Sequence, residues 1–185
     1  YSCIILDEIM RVTNPRNIIC SISGLREGSL SIDYFKDVKE SEIFYKALEN
    51  VAKKRGDLGS NYKKYYDFIQ PVFEGNEHFN KKLLYLACVL SHMDWGLGAF
   101  QKAELVFQET INTPLLRLTH KERIQLALSC YWRYCSIKYN PKMEYLTFLN
   151  NNEIFSSKQV GAALRFSQSL TSISTIFLEE FKLYK

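Results

Sequence analysis

Residues 83–93 read Leu-Leu-Tyr-Leu-Ala-Cys-Val-Leu-Ser-His-Met, a run that is apolar on nearly every side when it is wound into a helix. Such a helix is typical of the centre of a bundle, where other helices surround it. Outward from this run in both directions, apolar residues recur three and four positions apart, as they do on the buried faces of amphipathic helices. The sequence therefore predicts a mainly α-helical fold, with a multi-helix bundle from about residue 41 to residue 169.

The boundaries of the neighbouring helices follow from capping and breaking residues. Thr119 and Glu122 have the spacing of a capping box, in which each side chain binds a free backbone N–H of the first turn. Pro114 and Pro141 end helices, because proline disfavours helical geometry in the residue before it. The predicted apolar faces are Ile43, Phe44, Ala47, Leu48 and Val51; Tyr62, Tyr65, Tyr66, Ile69, Val72 and Phe73; Ala103, Val106, Phe107 and Ile111; Ile124, Ala127, Leu128, Tyr131 and Cys135; and Val160, Ala163, Leu164 and Ser167.

The N-terminal part of the chain has a different pattern. Residues 1–12 show helical spacing that stops at Pro15, and residues 17–23 form a β-branched run closed by Gly24, which is typical of a buried strand. Residues 29–35 are expected to be helical again. This order predicts a fragment of an α/β layer. At the other end of the chain, the alternation of apolar residues also suggests a strand.

The composition is that of a globular protein. Of 185 residues, 46% are hydrophobic and 24% are charged, which argues against disorder, and the low content of glycine and proline excludes a collagenous chain. The net charge of +4 is too small to indicate a nucleic-acid-binding protein, although it suits a domain that meets an anionic partner. No apolar run reaches about 18 residues, so no membrane span and no membrane partner are predicted.

The cysteines and the ends of the chain give two further expectations. Five cysteines, an odd number at irregular spacing, predict buried thiols in a reducing cytoplasm and not a disulfide framework. The sequence begins without an initiator methionine, inside a predicted helix, and shows no stop signal at its other end. We therefore expect a piece of a longer cytoplasmic protein.

No catalytic or metal-binding motif is recognised. His92 and Asp94 are two positions apart, which on a helix separates their directions by about 200°, so they are not expected to share a metal ion. The chain has no serine nucleophile elbow and no phosphate-cradling glycine loop followed by lysine. Basic clusters at 53–55, 63–64 and 81–82 are each expected to be solvated helix ends. Only their convergence on one groove would produce a path for a polyanion.

Residues 18–29, Ile-Ile-Cys-Ser-Ile-Ser-Gly-Leu-Arg-Glu-Gly-Ser, resemble the Ser-x-Gly-Leu-Arg-Glu-Gly signature of the exopolyphosphatase and guanosine pentaphosphate phosphohydrolase (Ppx/GppA) family. Later stretches are similar, in the same order, to helices of that family: residues 52–56, 84–95, 120–134 and 161–165. The resemblance covers nearly the whole chain. Its most specific part is the motif from Gly24 to Gly28.

The resemblance implies a domain organisation and an activity for a longer parent protein. Residues 1–35 would be the tail of the second actin-like α/β domain, and residues 36–185 would be the C-terminal HD-like helical domain, truncated at its end. The parent would hydrolyse terminal phosphoanhydride bonds of inorganic polyphosphate or the 5′-phosphoanhydride of guanosine pentaphosphate, with Mg²⁺ as its cofactor. The catalytic carboxylates of the family lie upstream, so this chain is expected to hold no catalytic residue, metal ligand or cofactor and to be inactive alone.

Within such a parent, the helical domain would line the polyphosphate groove and support a homodimer. Arg26, Lys53, Lys54 and Arg55 are the predicted substrate-binding residues, because they lie closest in sequence to the domain junction. Nucleic acid is not an expected partner. Two alternatives remain open: a stand-alone HD-type metal-dependent phosphohydrolase, and a noncatalytic helical domain that binds a protein through exposed aromatic residues.

Overall fold

The structure, a computed structural model, describes residues 2–18, 24, 29, 40–54, 61–92, 96–113, 115, 118–139, 143–171 and 176–183, except for the side chains of 40–44, 47 and 143. The chain divides into two units, Tyr1–Asp37 and Val38–Lys185. Each unit is described by itself. Within the described residues the protein is mainly helical and contains no strand, as the periodicity predicts for most of the chain.

The first unit contains helix α1, Ser2–Thr13. It ends where the sequence predicts, immediately before Asn14, whose φ of 42° lies in the left-handed region. Every residue of this helix is exposed, including its apolar side chains. The predicted strand at 17–23 lies outside the described residues from position 19 onward, and so do 30–35 of the next predicted helix.

The described residues of the second unit form helices α2 Glu40–Lys54, α3 Asn61–Phe73, α4 Lys81–Leu90, α5 Ala99–Asn112, α6 His120–Tyr134, α7 Met143–Leu146, α8 Asn151–Thr171 and α9 Phe177–Glu180. Their buried apolar side chains form two clusters. Helix α4 packs against α2, α3, α6 and α8, and α6 packs against α4, α5 and α8. The short helix α9 packs against α3 and α8.

Helix α4 confirms the prediction made from its apolar run. Asn80 caps its first turn by accepting a hydrogen bond from the Leu83 backbone N–H, and seven of its residues are buried. Such a cap stabilises a helix by about 1 kcal/mol. The helix ends at Leu90, slightly earlier than the apolar run suggests, and Ser91 follows as its buried C-cap residue.

Helix α6 begins at the predicted capping box. The Thr119 hydroxyl accepts from the Glu122 backbone N–H at 3.2 Å, and the Glu122 carboxylate accepts from the Thr119 backbone N–H at 2.8 Å. The apolar spacing predicts burial on one face only, but every residue from 123 to 133 is buried. The reason is tertiary, because α4, α5 and α8 together cover this helix on all sides.

Two of the buried polar side chains of α6 find hydrogen-bond partners inside the core. Arg123 donates to the backbone carbonyls of Thr113 and Leu115, in the connection that follows α5. Gln125 donates to the His78 carbonyl at 2.8 Å, which ties α6 to the turn before α4. Because buried donors without a partner are costly, these bonds allow polar residues on a helix without a solvent face.

The C-terminal segment 176–183 differs from its predicted strand. It forms α9 followed by residues without regular structure, and Leu178 is buried in the core. One helical turn carries this leucine against α3 and α8, so its burial outweighs the alternating pattern. In the described part of the chain, no helix has the length and apolar character that a membrane crossing would need.

Candidate functional site

A pocket of about 430 Å³ opens on the surface formed by α2, α3 and α4. We call it the lysine–tyrosine pocket after the side chains that dominate its wall. One lysine of the basic cluster at 63–64 and both lysines of the cluster at 81–82 meet at this pocket, although residues 65–80 lie between the two clusters in the sequence. Its lining residues are Tyr45, Lys63, Tyr66, Asp67, Lys81, Lys82 and Tyr85.

The lysines of the pocket occupy the first turns of two helices. Lys81 and Lys82 are the first two residues of α4, and Lys63 is the third residue of α3. Neither first turn contains an acidic residue. Helix N-termini carry a partial positive charge that normally favours acidic side chains, so lysines here add to the positive potential of the helices. The arrangement produces a site of positive potential suited to an anion.

The tyrosines form a packed wall centred on Tyr85. Its ring makes edge-to-face contacts with Tyr45, Tyr62 and Tyr66 at centroid distances of 5.2, 5.7 and 5.2 Å. Such contacts stabilise aromatic clusters beyond the burial of their surface. Burial, followed by the hydrogen bond with Tyr62, raises the pKa of Tyr85, and burial also raises the pKa of Tyr66. Both hydroxyl groups are protonated near neutral pH, as an ordinary tyrosine with a pKa of about 10 already is.

Carboxylates near the pocket balance Lys63 and Lys81 only weakly. The Lys63 ammonium lies 3.6 Å from a Glu49 carboxylate oxygen, and the Lys81 ammonium lies 3.9 Å from one of Glu74. All four side chains are about half exposed or more, and ion pairs of this kind contribute about 0–1 kcal/mol. Asp67 also lines the pocket. A multivalent anion can therefore compete with these contacts.

The residues predicted for substrate binding lie elsewhere or outside the described residues. Lys53 and Lys54 are exposed in the last turn of α2 and do not line the lysine–tyrosine pocket. Arg26 and Arg55 lie outside the described residues. The prediction for these four residues stays a prediction. The sequence contains the lysines at 63, 81 and 82, but their convergence depends on the packing of α3 against α4, which helical periodicity does not encode.

Other chemically active residue types show no comparable grouping in the described ranges. These ranges contain no set of three or more histidine, cysteine, aspartate or glutamate side chains placed to hold a metal ion. His92 is half-buried, and Asp94 lies outside the described residues. The buried-thiol prediction is confirmed for Cys88, Cys130 and Cys135 but is wrong for Cys3, which is exposed on α1.

Comparisons with known proteins add no family assignment. No protein-family model and no curated protein matches the sequence. The family resemblance therefore depends on the quoted motifs alone.

Proposed function

We propose that this chain is the C-terminal helical domain of an exopolyphosphatase-like hydrolase, and that its lysine–tyrosine pocket binds the phosphate groups of inorganic polyphosphate. The observation that carries the proposal is the convergence of Lys63, Lys81 and Lys82 on one pocket at two helix N-termini. From the sequence, each basic cluster by itself is expected to be a solvated helix end. Their convergence favours a polyanion path instead.

The chemistry of the pocket supports phosphate as the ligand. Three ammonium groups supply charge-assisted hydrogen bonds, which are about twice as strong as neutral ones. The protonated hydroxyl group of Tyr66, which lines the pocket, adds a neutral donor. A polyphosphate chain presents oxygen acceptors and negative charge along its whole length, without bases that need stacking surfaces. The ring of Tyr85 is already engaged with three other tyrosines, which favours polyphosphate over single-stranded nucleic acid.

In the longer parent protein, the helical bundle of this chain would be HD-like, and residues 1–35 would be the tail of the second actin-like domain. Hydrolysis of a terminal phosphoanhydride bond would take place upstream, with Mg²⁺ and the family's carboxylates, in a cytoplasmic homodimer. Guanosine pentaphosphate is the other substrate that the resemblance supports. This domain would hold the polyanion while the actin-like domains cleave it.

The pocket is tested by removing two of its charges. Lys81→Gln combined with Lys82→Gln should weaken binding of long-chain polyphosphate by about tenfold, because each lysine supplies a charge-assisted contact. The dependence of the logarithm of the binding constant on the logarithm of salt concentration should flatten by roughly one for each lysine removed. Titration calorimetry at several salt concentrations measures both quantities.

The matched control removes the same charge from another surface. Lys121 and Lys138 are exposed and do not line the pocket, so Lys121→Gln combined with Lys138→Gln should change the affinity much less. Equal losses in the two double variants would contradict a specific pocket. Tighter binding of a single-stranded oligonucleotide than of polyphosphate at equal salt would contradict the proposed ligand, and release of orthophosphate by the purified chain would contradict its noncatalytic role.

A further inference from the structure

A second pocket, of about 590 Å³, lies beside the first on the opposite flank of α3. Asp67 lines both pockets, so they meet along this helix. The second pocket is closed on its other side by the C-terminal segment 176–183. Its apolar floor includes Phe68 and Leu178, and its rim carries Lys64 and Lys182. The second pocket thus adds two lysines on the other side of Asp67, whose carboxylate lies between the two sets of lysines.

One lysine of this rim already forms an ion pair with a carboxylate. The Glu179 carboxylate is 2.8 Å from the Lys64 ammonium, which is a much closer ion pair than those of Lys63 and Lys81 in the first pocket. Glu179 belongs to α9, which Leu178 anchors in the core. The carboxylate therefore remains next to Lys64 although its own side chain is 61% exposed. In this position the carboxylate binds the Lys64 ammonium, which is the donor that a bound phosphate would also use.

We propose that the second pocket is a second anion subsite, and that the Glu179 carboxylate occupies its lysine until an extended polyanion displaces it. This inference rests on the proposed function of the first pocket. The ligand is a linear chain of phosphates that continues from Lys63 past Asp67 to Lys64 and Lys182. A compact anion such as tripolyphosphate binds in the first pocket and leaves the Lys64–Glu179 pair intact.

The exchange has a small energetic cost. Exposed ion pairs contribute little to stability, so one phosphate oxygen can replace the Glu179 carboxylate on Lys64. The displaced side chain can turn into water, because more than half of it is already exposed, while Leu178 holds α9 in place. No part of the fold has to open. The pair acts as an internal competitor that lowers the affinity for long chains.

Glu179→Gln and Glu180→Gln form a matched pair of variants for the test. Both remove one negative charge from the same four-residue helix, and within the described structure only Glu179 has an ion pair with Lys64. Glu179→Gln should tighten binding of long-chain polyphosphate by about two- to fivefold more than Glu180→Gln does. The affinity for tripolyphosphate should be the same in the two variants. Lys64→Gln should weaken long-chain binding and remove the gain from Glu179→Gln.

The possible results separate this inference from the proposed function. Equal long-chain affinities in Glu179→Gln and Glu180→Gln would overturn the role of Glu179, and the proposed function would stand if the Lys81 and Lys82 variant still lost affinity. A gain that persists in the Lys64→Gln background would also overturn the inference. Absence of polyphosphate binding in the unsubstituted chain would overturn both. Thermal unfolding followed by circular dichroism verifies that each variant is folded.

Discussion

At position 133 a guanidinium group lies inside the core with no carboxylate paired to it among the described residues. The Arg133 Nη1 donates to the Ser91 hydroxyl at 2.6 Å, and its Nε donates to the Gln168 side-chain oxygen at 3.1 Å. The rings of Tyr65 and Tyr134 each lie 5.5 Å from the guanidinium carbon. Hydrogen bonds and aromatic faces thus stabilise this buried charge. Helical spacing alone does not predict burial of an arginine.

Arg133→Lys should destabilise the protein by about 1–3 kcal/mol, because an ammonium group lacks the planar fork that reaches both Ser91 and Gln168. Urea unfolding measures this change. Arg165→Lys makes the same chemical change at an exposed position of α8 and should alter stability by less than about 0.5 kcal/mol. Similar losses of stability in the two variants would show that the planar guanidinium of Arg133 is not required for the stability of the protein.

At the scale of helices, the close approach of α8 to α6 depends on one glycine. A Cβ atom built at Gly161 would lie 2.6 Å from the Trp132 Cβ and 2.9 Å from the Ser129 carbonyl oxygen. Both contacts are with atoms of α6 that have little freedom to move, since one belongs to the backbone and the other is attached directly to it. Glycine is therefore required by the packing of two helices, although it lowers the intrinsic stability of a helix.

Gly161→Ala should lower the free energy of unfolding by about 1–2 kcal/mol, because overpacking outweighs the gain of about 1 kcal/mol in helix propensity. Thermal and urea unfolding check the sign as well as the size. Ala162→Ser, at the exposed neighbouring position, is the control and should have a small effect. An unchanged or raised stability for Gly161→Ala would mean that α8 can move away from α6 without loss.

For the whole molecule, tyrosines with raised pKa values contribute to the response to alkaline pH. Burial raises the pKa of Tyr85 and of Tyr131 above the ordinary tyrosine value of about 10. In the unfolded chain these groups lose their protons first, so deprotonation favours unfolding. Their contribution to stability is fully present below about pH 10 and is lost as pH rises through the folded-state pKa values.

Stability measured by urea unfolding should therefore be flat with respect to these groups below about pH 10 and fall above it. Tyr85→Phe combined with Tyr131→Phe should reduce the slope of that fall, because phenylalanine has no proton to lose. The comparison is made between slopes, so a constant loss of stability from the missing hydroxyl groups does not affect it. Identical alkaline slopes in the unsubstituted and substituted chains would contradict the assignment.

Sequence patterns predicted the parts of the fold that depend on neighbours along the chain. The apolar run before Leu90 predicted the central helix α4, and the spacing of Thr119 and Glu122 predicted the start of α6. Capping and periodicity act within a few residues, so a linear sequence contains them completely. The strand suggested at the C-terminal end was wrong for residues 181–183, which have no regular structure, whereas burial of Leu178 holds the preceding helix α9 against distant helices.

The sequence by itself determined a mainly helical chain, its central helix and its strongest helix cap. Only the tertiary structure decided which charges meet. Lys63 and Lys82 become neighbours because α3 and α4 pack together, and Lys64 meets Glu179 because α9 returns to α3. These pairs are separated by long stretches of sequence, and no local preference for a helix encodes their distance. The electrostatic character of the site is a property of the packing, whereas the helices that carry it are a property of the sequence.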